Sequence, residues 1–264
     1  MSKYFIKFRD DMKKYFRYAV RAAKADLRAE VTNSFLDWLW WLIEPVCMML
    51  IYTFIFGFVF HASEQYFPVF IFTGLTMFSF FSRGVIQSVD LVRGNRGVIS
   101  KIYLPKYILL ISRMLVNGFK MLVSFGVIAV MLLVFKVPMS VNVIHFVPIV
   151  TVLFLFTFGV GSILMHYGVY INDLSYVMGI LMNMLMYMSG IFYSVGTRVP
   201  APLGPVLETW NPVAFLIASM RNAVLYKQAP DWGMLGMWTV VSVILCVIGI
   251  ATIYRNENSY VKVI

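Results

Sequence analysis

Three ionisable side chains stand inside long apolar runs, where charge is rare: Glu44, Arg83 and Lys120. A charged group in hydrocarbon needs a partner or a water-filled cavity. At ~1.5 Å per residue, counted from the ends of their runs nearest the basic clusters, all three sit on the order of 12 to 18 Å deep. One acid and two bases at one level predict an ion pair of Glu44 with Arg83 or Lys120, with one positive charge left over. The pair could lock neighbouring helices together, or the spare charge could contact an anionic group, such as a phosphate, in a pore.

Aromatic rings are the second chemical resource of the chain. Phe54 and Phe58 lie at the end of the first apolar run, and Phe78 and Phe81 lie in the second. A stack of ring faces suits sugar rings, so these four residues are candidates for lining a channel. The same rings are common on lipid-facing surfaces and in helix packing, and their periodicity does not choose between these roles.

Motifs for enzyme chemistry are missing from the sequence. It has no G-x-x-x-x-G-K-[ST] phosphate loop, no G-x-S-x-G elbow and no H-E-x-x-H helix. Its two cysteines and three histidines stand singly, without ligand spacing. We therefore predict no catalytic residue, no metal and no cofactor on this chain. If ATP drives its activity, ATP and Mg are bound by another subunit.

The composition describes a membrane protein. The chain is 61% hydrophobic and only 13% charged, with a mean hydropathy of +0.81. Such a surface would have no polar cover in water, so we expect a polytopic membrane protein. The net charge of +10 does not predict a nucleic-acid partner, because the basic residues form short clusters between apolar runs, as membrane orientation requires.

Residues 1–35 predict an amphipathic interface helix on the cytoplasmic side, since apolar residues recur at three- and four-residue steps opposite a basic face. Six apolar runs follow, each long enough for the ~20 residues that a crossing helix needs. They form one domain, 36–254, which is followed by a cytoplasmic tail, 255–264. The six predicted spans are 36–60, 69–92, 108–135, 145–168, 176–197 and 234–254.

The basic residues also predict the orientation. Sixteen of them fall on one side of the six spans, and only Lys136, Arg198, Arg221 and Lys227 fall on the other. Basic residues concentrate in cytoplasmic loops, so we expect both termini in the cytoplasm. We do not expect a cleaved signal peptide, because residues 1–30 lack a continuous apolar core.

The segment 198–232 interrupts the span pattern and holds half of the prolines. Within it, residues 211–226 begin with Asn211 as a helix cap and Pro212 at the first helical position, and they include Arg221. About 14 helical residues reach only ~21 Å, less than a ~30 Å hydrocarbon core. We predict re-entrant helices on the outer side; a loop helix resting on lipid is the alternative. The expected fold is all-α, with six transmembrane helices, an interface helix and outer re-entrant helices between spans five and six.

The loop RGNRGVISKIYLPKY, residues 93–107, brings four basic residues together between the second and third spans. Its two glycines allow a sharp turn out of the membrane, and Pro105 limits a short helix predicted over Val98–Leu104. Apolar side chains exposed between the charges predict a docking partner. A solvated basic turn is the alternative.

Four stretches resemble the membrane subunits of type-2 ABC exporters, in particular those that export O-antigen, capsule and teichoic acid polymers. They are RAEVTNSFLDWLWWLIEPVCMMLIYTFIFG (28–57), RGNRGVISKIYLPKYILLISRML (93–115), SGIFYSVGTRVP (189–200) and NPVAFLIASMRNAVLY (211–226). With the six-span layout, the resemblance covers nearly the whole chain. Its specificity comes from the order and spacing of the four stretches.

The resemblance implies a homodimer in the bacterial cytoplasmic membrane, with two ABC ATPase subunits beneath it. A polyprenyl-diphosphate-linked polysaccharide would pass through a channel at the dimer centre, and segment 198–232 would gate its exit. The loop 93–107 would couple the chain to the ATPase, with Asp173 and Leu174 as a smaller second contact. The predicted coupling residues of the first loop are Arg93, Gly94, Asn95, Arg96, Val98, Lys101, Ile102, Tyr103, Leu104 and Pro105.

Other functions stay open at this point. The expected cargo is an O-antigen-like glycan; teichoic acid and capsule polymers are the alternatives within the resemblance, and an exporter of drugs or small lipids is the nearest rival. Outside the family, the chain could be a polytopic enzyme acting on a polyprenyl lipid, or a stand-alone channel.

Overall fold

The computed structural model describes residues 2–32, 36–62, 64–101, 103–138 and 140–263, and every regular element within them is helical. Short 3-10 turns at Asp37–Leu39 and Val141–His145 precede α2 and α7, and a π-helical stretch, Thr53–Val59, continues α2. The α-helices are α1 Ser2–Val31, α2 Trp40–Tyr52, α3 Phe67–Val89, α4 Leu91–Gly94, α5 Arg96–Ile99, α6 Lys106–Val134, α7 Phe146–Tyr170, α8 Leu174–Met188, α9 Val195–Arg198, α10 Leu203–Trp210, α11 Pro212–Val224 and α12 Trp232–Val263.

Five helical segments among the described residues are long and apolar enough to cross a bilayer. Their bounds agree with five of the six predicted spans to within about four residues, and the all-helical fold is confirmed. The five segments are Trp40–Val59, Phe67–Val89, Lys106–Val134, Val141–Tyr170 and Trp232–Glu257.

The predicted span 176–197 is not among them. Its helix, α8, has 15 residues and therefore reaches only ~22 Å. The helix stops at Met188 because the chain turns at Ser189 and Gly190, and Gly190 has a φ of +67°, which suits glycine.

Small residues hold α7 and α12 close together. A Cβ atom on Gly159 would lie 2.7 Å from Leu245 Cβ and 3.0 Å from the Cys246 backbone nitrogen. Gly249 of α12 in turn faces the Ser162 hydroxyl. Without a side chain at these glycines the two backbones approach directly, which is how helices commonly associate in membranes.

The opposite side of α7 packs against α3 in the same manner. A Cβ on Gly161 would lie 3.3 Å from Ser88 Cβ, and Gly168 faces the Val89 backbone. The α7 helix is therefore a central element, with α3 on one side and α12 on the other.

The two ends of the bundle differ in chemistry. At the end that we call the basic end, Lys7 of α1 and Lys106 of α6 meet Glu257 of α12. At the end that we call the proline-rich end, Arg221 of α11 contacts the Phe70 carbonyl at the start of α3. Segment 198–232 thus lies at the end opposite to α1.

The predicted amphipathic helix forms as α1 and runs beside the first half of α6. Its buried Ala19 accepts a hydrogen bond from the Ser112 hydroxyl through the backbone carbonyl, at 3.2 Å. Further along, Asp26 pairs with Arg113 at 3.2 Å. These contacts place the apolar face of α1 against α6.

We predict that Gly159→Ala destabilises the bundle. The added methyl group would meet backbone and Cβ atoms of α12 that cannot move aside, and overpacking of this kind costs about 1–3 kcal/mol. The thermal unfolding midpoint of the detergent-solubilised protein should fall. Gly126→Ala is the matched control, because nothing lies within 4 Å of the corresponding position; equal midpoints for the two variants would contradict the central role of α7.

Candidate functional site

A groove opens among α2, α3, α6 and α8, with a volume of about 300 Å³. It brings together Glu44, Arg83 and Lys120, the three ionisable residues that were predicted to lie about 12 to 18 Å deep in the apolar runs. Those residues come from three different helices, and the packing of α3 against α2 and α6 sets them side by side. The groove is the candidate binding site of the chain.

The charges in the groove are paired. Arg83 Nη2 donates to Glu44 Oε1 at 2.9 Å, which is one of the two predicted ion pairs. Both side chains are about half exposed, at 42% and 55%. Because they face the open groove, they can exchange this bond for contacts with a ligand.

The prediction that one positive charge is left without a partner is wrong for Lys120. Its Nζ lies 2.6 Å from Glu30 Oε2. Glu30 belongs to the last turns of α1, which the sequence placed on the membrane surface, and the packing of α1 along α6 carries this acid to Lys120. In the sequence, the only hint that Glu30 would pair with a base is its position as an acid at the end of a helix that is rich in basic residues.

Neutral polar groups complete the wall. Asn117 donates from Nδ2 to Gln87 Oε1 at 3.0 Å, and it borders the groove. The Thr76 hydroxyl is buried and has no hydrogen-bond partner among the described residues. The sequence alone does not single out these groups, because an isolated Asn or Thr in an apolar run belongs to no recognisable pattern. Further hydroxyl and amide side chains on the lining are Ser79, Ser82, Ser124 and Asn183.

The four candidate channel phenylalanines separate into different environments. Phe54 and Phe58 are exposed and stack on each other, with ring centroids 5.6 Å apart. The Phe78 side chain is 5% exposed, and it borders the groove. Phe81 stacks on Phe156 of α7 and is 3% exposed, so its prediction as a channel residue is corrected: it packs in the core.

The loop after α3 forms helices at positions different from those predicted. The chain turns through α4 and α5, and of the predicted helix Val98–Leu104 only Val98 and Ile99 are helical among the described residues. Asn95 donates to the Leu91 carbonyl at 2.7 Å and closes the turn between the two short helices. Because the helical turns start earlier, Tyr103 is free to reach Glu257 of α12, and Pro105 leads into α6.

The predicted coupling residues of the first loop differ in their exposure to solvent. Leu104 and Pro105 are buried within the chain, so they pack at the start of α6 and are not part of the exposed surface of the loop. Ile102 lies outside the described residues. The exposed members are Gly94, Arg96, Lys101 and Tyr103, and the half-buried members are Arg93, Asn95 and Val98.

The second predicted contact lies at the same end of the bundle as the loop. Arg93 Nη2 donates to the Val169 carbonyl at 3.0 Å, near the end of α7. Asp173 follows α7 and is exposed, and Leu174 begins α8 half-buried. The loop and the α7–α8 turn therefore lie at one end, as the prediction of a joint contact requires.

Glu257 joins three segments at the basic end. Its carboxylate, 8% exposed, accepts a hydrogen bond from the Tyr103 hydroxyl at 3.0 Å. Lys106 Nζ lies 3.4 Å away, and Lys7 Nζ 3.7 Å. The Tyr103 side chain is exposed overall, but loss of water around its phenol, together with the adjacent Glu257 carboxylate, raises the pKa of that phenol, so Tyr103 stays a donor. The sequence assigned Glu257 to a tail, although α12 continues through it.

A second chain of hydrogen bonds lies beside this cluster. Tyr254 of α12 donates to Asp11 Oδ2 of α1 at 2.8 Å, and the hydroxyls of Tyr107 and Tyr254 lie 3.0 Å apart. Together with Glu257, these groups fasten α1 and α12 to the residues that follow the loop.

Arg221 organises the proline-rich end. Asn211 caps α11 as predicted, by accepting from the backbone nitrogens of Val213 and Ala214, and ten of the 13 residues of α11 are buried. Burial on this scale contradicts a loop helix that rests on lipid. Arg221 and Pro212 are therefore parts of a packed element.

The Arg221 guanidinium is 4% exposed and donates to three backbone carbonyls. These are Phe70 at 3.1 Å, Gly190 at 2.7 Å and Ile191 at 2.8 Å, and the Phe70 ring lies beneath it at 3.4 Å. The planar fork of donors suits several fixed acceptors at once. Arg221 thus joins α11 to the start of α3 and to the chain just after α8.

Among the described residues, no group of three His, Cys, Asp or Glu side chains is placed to hold a metal ion.

We predict that Glu257→Ala strongly destabilises the basic end, because it leaves Lys106 buried without its counter-charge. Breaking a buried pair in this way costs about 3–5 kcal/mol. Thermal unfolding in detergent measures the effect. Adding Lys106→Met to Glu257→Ala should restore most of the loss, whereas Lys7→Met alone should have little effect because Lys7 is 47% exposed. A double variant as unstable as Glu257→Ala would contradict the assignment.

We predict that Arg221→Met lowers stability more than Arg221→Lys, since methionine leaves three buried carbonyls without donors, at about 1–3 kcal/mol each, and lysine can still reach some of them. Limited proteolysis of segment 198–232 reports the loosening directly. Arg255→Met, at an exposed position on α12, is the matched control. Equal protease resistance in Arg221→Met and Arg255→Met would disprove the anchoring role.

The chain is similar in sequence to known membrane transport proteins along most of its length. No protein-family model matches the chain. It is 24% identical over 260 residues to the O-antigen export system permease protein RfbA of Klebsiella pneumoniae, across 98% of this chain and 99% of that protein. It is 23% identical over 235 residues to the RfbA permease of Myxococcus xanthus, across 89% and 90% of the two chains.

A third relative is the polysialic acid transport protein KpsM of Escherichia coli, 26% identical over 241 residues, across 88% of this chain and 90% of that protein. The names of all three describe export or transport of a polysaccharide. Along most of its length, this chain is therefore homologous to the permeases of polysaccharide exporters, as the four sequence stretches predicted.

Proposed function

We propose that this chain is the membrane subunit of an ATP-driven exporter that moves a polyprenyl-diphosphate-linked polysaccharide of the O-antigen kind across the bacterial inner membrane. The observation that carries the proposal is the similarity to an O-antigen export permease across 98% of the chain. A capsule polysaccharide is the alternative cargo. The observation that supports this alternative is the similarity to the polysialic acid transport protein. The chain itself performs no covalent chemistry.

Six crossings are part of the proposal, with α8 as the fifth. The α7 helix ends at the basic end, where His166 contacts Tyr260 of α12 at 2.8 Å, and α12 begins after segment 198–232 at the opposite end. The chain between them must therefore pass from one end to the other. The ~22 Å reach of α8 is short for this, and α10 and α11 supply the remaining depth as outer re-entrant helices.

The basic end faces the cytoplasm in this proposal. It carries α1, the loop after α3 and the C-terminal turns of α12, where most basic residues lie, and basic residues concentrate on the cytoplasmic side. The α6 helix is ~43 Å long, longer than the ~30 Å core, so its first turns extend out of the hydrocarbon beside α1. That arrangement suits an interface helix.

A homodimer with a central channel is the proposed assembly. The α2 helix supports it, since Met49 is its only buried residue among those described, and α8 likewise buries only Met178 and Met182. Both helices border the groove. A second copy facing α2 and α8 would cover these apolar surfaces and enclose the groove.

ATP is hydrolysed by separate subunits that dock on the loop after α3. Arg96 and Lys101 are exposed there, and Glu257 connects the end of the loop to α1 and α12. A displacement of the loop by the ATPase would therefore be transmitted to α1 and α12. This route supports coupling of ATP hydrolysis to movement of the spans.

The first test is genetic and biochemical. Cells without the chain should accumulate the polymer inside and lose it from the surface, and affinity purification of the tagged chain should recover an ATPase with a phosphate loop. A purified chain that turns over a lipid substrate without ATP would overturn the proposal.

We predict that Arg96→Glu with Lys101→Glu releases the ATPase, because the reversed charges would repel the surface that the basic loop contacts. Co-purification measures the loss. Lys136→Glu with Lys227→Glu is the matched control, since it makes the same change of charge at exposed positions of the proline-rich end. Retained ATPase in the loop variant, at normal protein level, would contradict the docking site.

A further inference from the structure

We infer that the groove among α2, α3, α6 and α8 binds a short neutral sugar segment of the transported polymer, in preference to its diphosphate. The inference rests on the proposed function and assigns one part of the substrate to one site. The charges around the groove are balanced within the chain. Arg83 is paired with Glu44 and Lys120 with Glu30, so the positive charges around the groove are matched by two acids. A diphosphate would have to displace a carboxylate at each cation, whereas a neutral sugar has no charge to balance.

The groove wall offers hydrogen-bond donors and acceptors of several kinds. The Glu44–Arg83 pair is about half exposed, and it offers acceptors and donors side by side to neighbouring hydroxyl groups. Asn117 offers an amide from α6, and Asn183 offers another from α8. Sugar hydroxyls both donate and accept, so they match a wall that mixes acids, bases and amides.

Thr76 adds an independent observation. Its hydroxyl is buried on the groove wall and makes no hydrogen bond within the described residues. A buried hydroxyl without a partner costs about 1–3 kcal/mol. A ligand hydroxyl in the groove would satisfy it after a rotation of the threonine side chain.

The shape of the groove also fits a short segment. Its volume of about 300 Å³ lies at the lower end of the ~300–1,000 Å³ that small-molecule sites occupy. Trp41 borders it with a ring held edge-on by Phe119, at a centroid distance of 5.6 Å and an angle of 84°. A fixed indole offers an apolar face to a sugar ring while the polar wall reaches its hydroxyls.

Photocrosslinking in exporting cells tests the inference. Met48 on α2 or Met186 on α8, both on the lining, is replaced by p-benzoylphenylalanine, which keeps an apolar side chain. Leu133 on α6 is the matched control, since it is 68% exposed and lies outside the groove lining. After irradiation, the full-length chain is purified, treated with mild acid to cut the bond between glycan and diphosphate, and labelled at periodate-oxidised vicinal diols.

We expect the diol label to remain on the Met48 and Met186 variants after mild acid and to be lost or weak on the Leu133 variant. Adducts that keep the lipid phosphate and lose the diol label would overturn the inference, and so would equal labelling at all three positions. If export does not depend on the chain, the proposed function fails. If export depends on it but the groove positions give no more glycan label than Leu133, only the sugar assignment fails.

A comparison of two double variants gives a second measurement. Glu44→Gln with Arg83→Gln removes both charges and keeps two hydrogen-bonding amides, whereas Glu44→Ala with Arg83→Ala removes the hydrogen-bonding groups as well, so the glycan label captured at Met48 should fall less in the amide variant than in the alanine variant. An equal loss of label in both, at normal protein level, would favour a site that needs the cation for a phosphate and would overturn the inference.

Discussion

Close backbone contact along α7 is the constraint on which the rest of the structure depends. Gly159 and Gly249 bring α12 against one side of this helix, and Gly161 and Gly168 bring α3 against the other. In a bilayer no hydrophobic force holds helices together, so such contacts and their dispersion energy fix the positions. The site residues then follow, because α3 carries Arg83 into the groove and α12 carries Glu257 to the basic end.

Charge is used differently at the ends and in the middle of the bundle. Arg221 and Glu257 are buried and surrounded by partners, so they fasten the two ends. The Glu44–Arg83 pair is half exposed to an open groove. Buried ionic contacts are costly to break, whereas exposed ones exchange easily. The ends are therefore suited to holding shape, and the groove is suited to transient binding.

At the basic end, some loop residues are exposed to a partner while others form hydrogen bonds to neighbouring helices. Arg96 and Lys101 are open to a partner, while Arg93 reaches α7 and Tyr103 reaches Glu257. A contact on the outer residues is thus linked through two or three bonds to α7, α1 and α12. In the proposed exporter, this geometry would convert a movement of the ATPase into a movement of helices and would require no nucleotide on the chain itself.

The sequence by itself determined the helical class, five apolar spans, the amphipathic α1 and the capped α11, because each depends on local periodicity or on a cap of a few residues. It also placed Glu44, Arg83 and Lys120 at similar depth. Only the tertiary structure decided that Glu30 pairs with Lys120, that Leu104 and Phe81 are buried, and that Arg221 holds three carbonyls. These facts depend on which helix faces lie together, and residues up to 151 positions apart in the chain meet there. Periodicity gives the direction of a face but not its neighbour, so the pairing of charges could come only from packing.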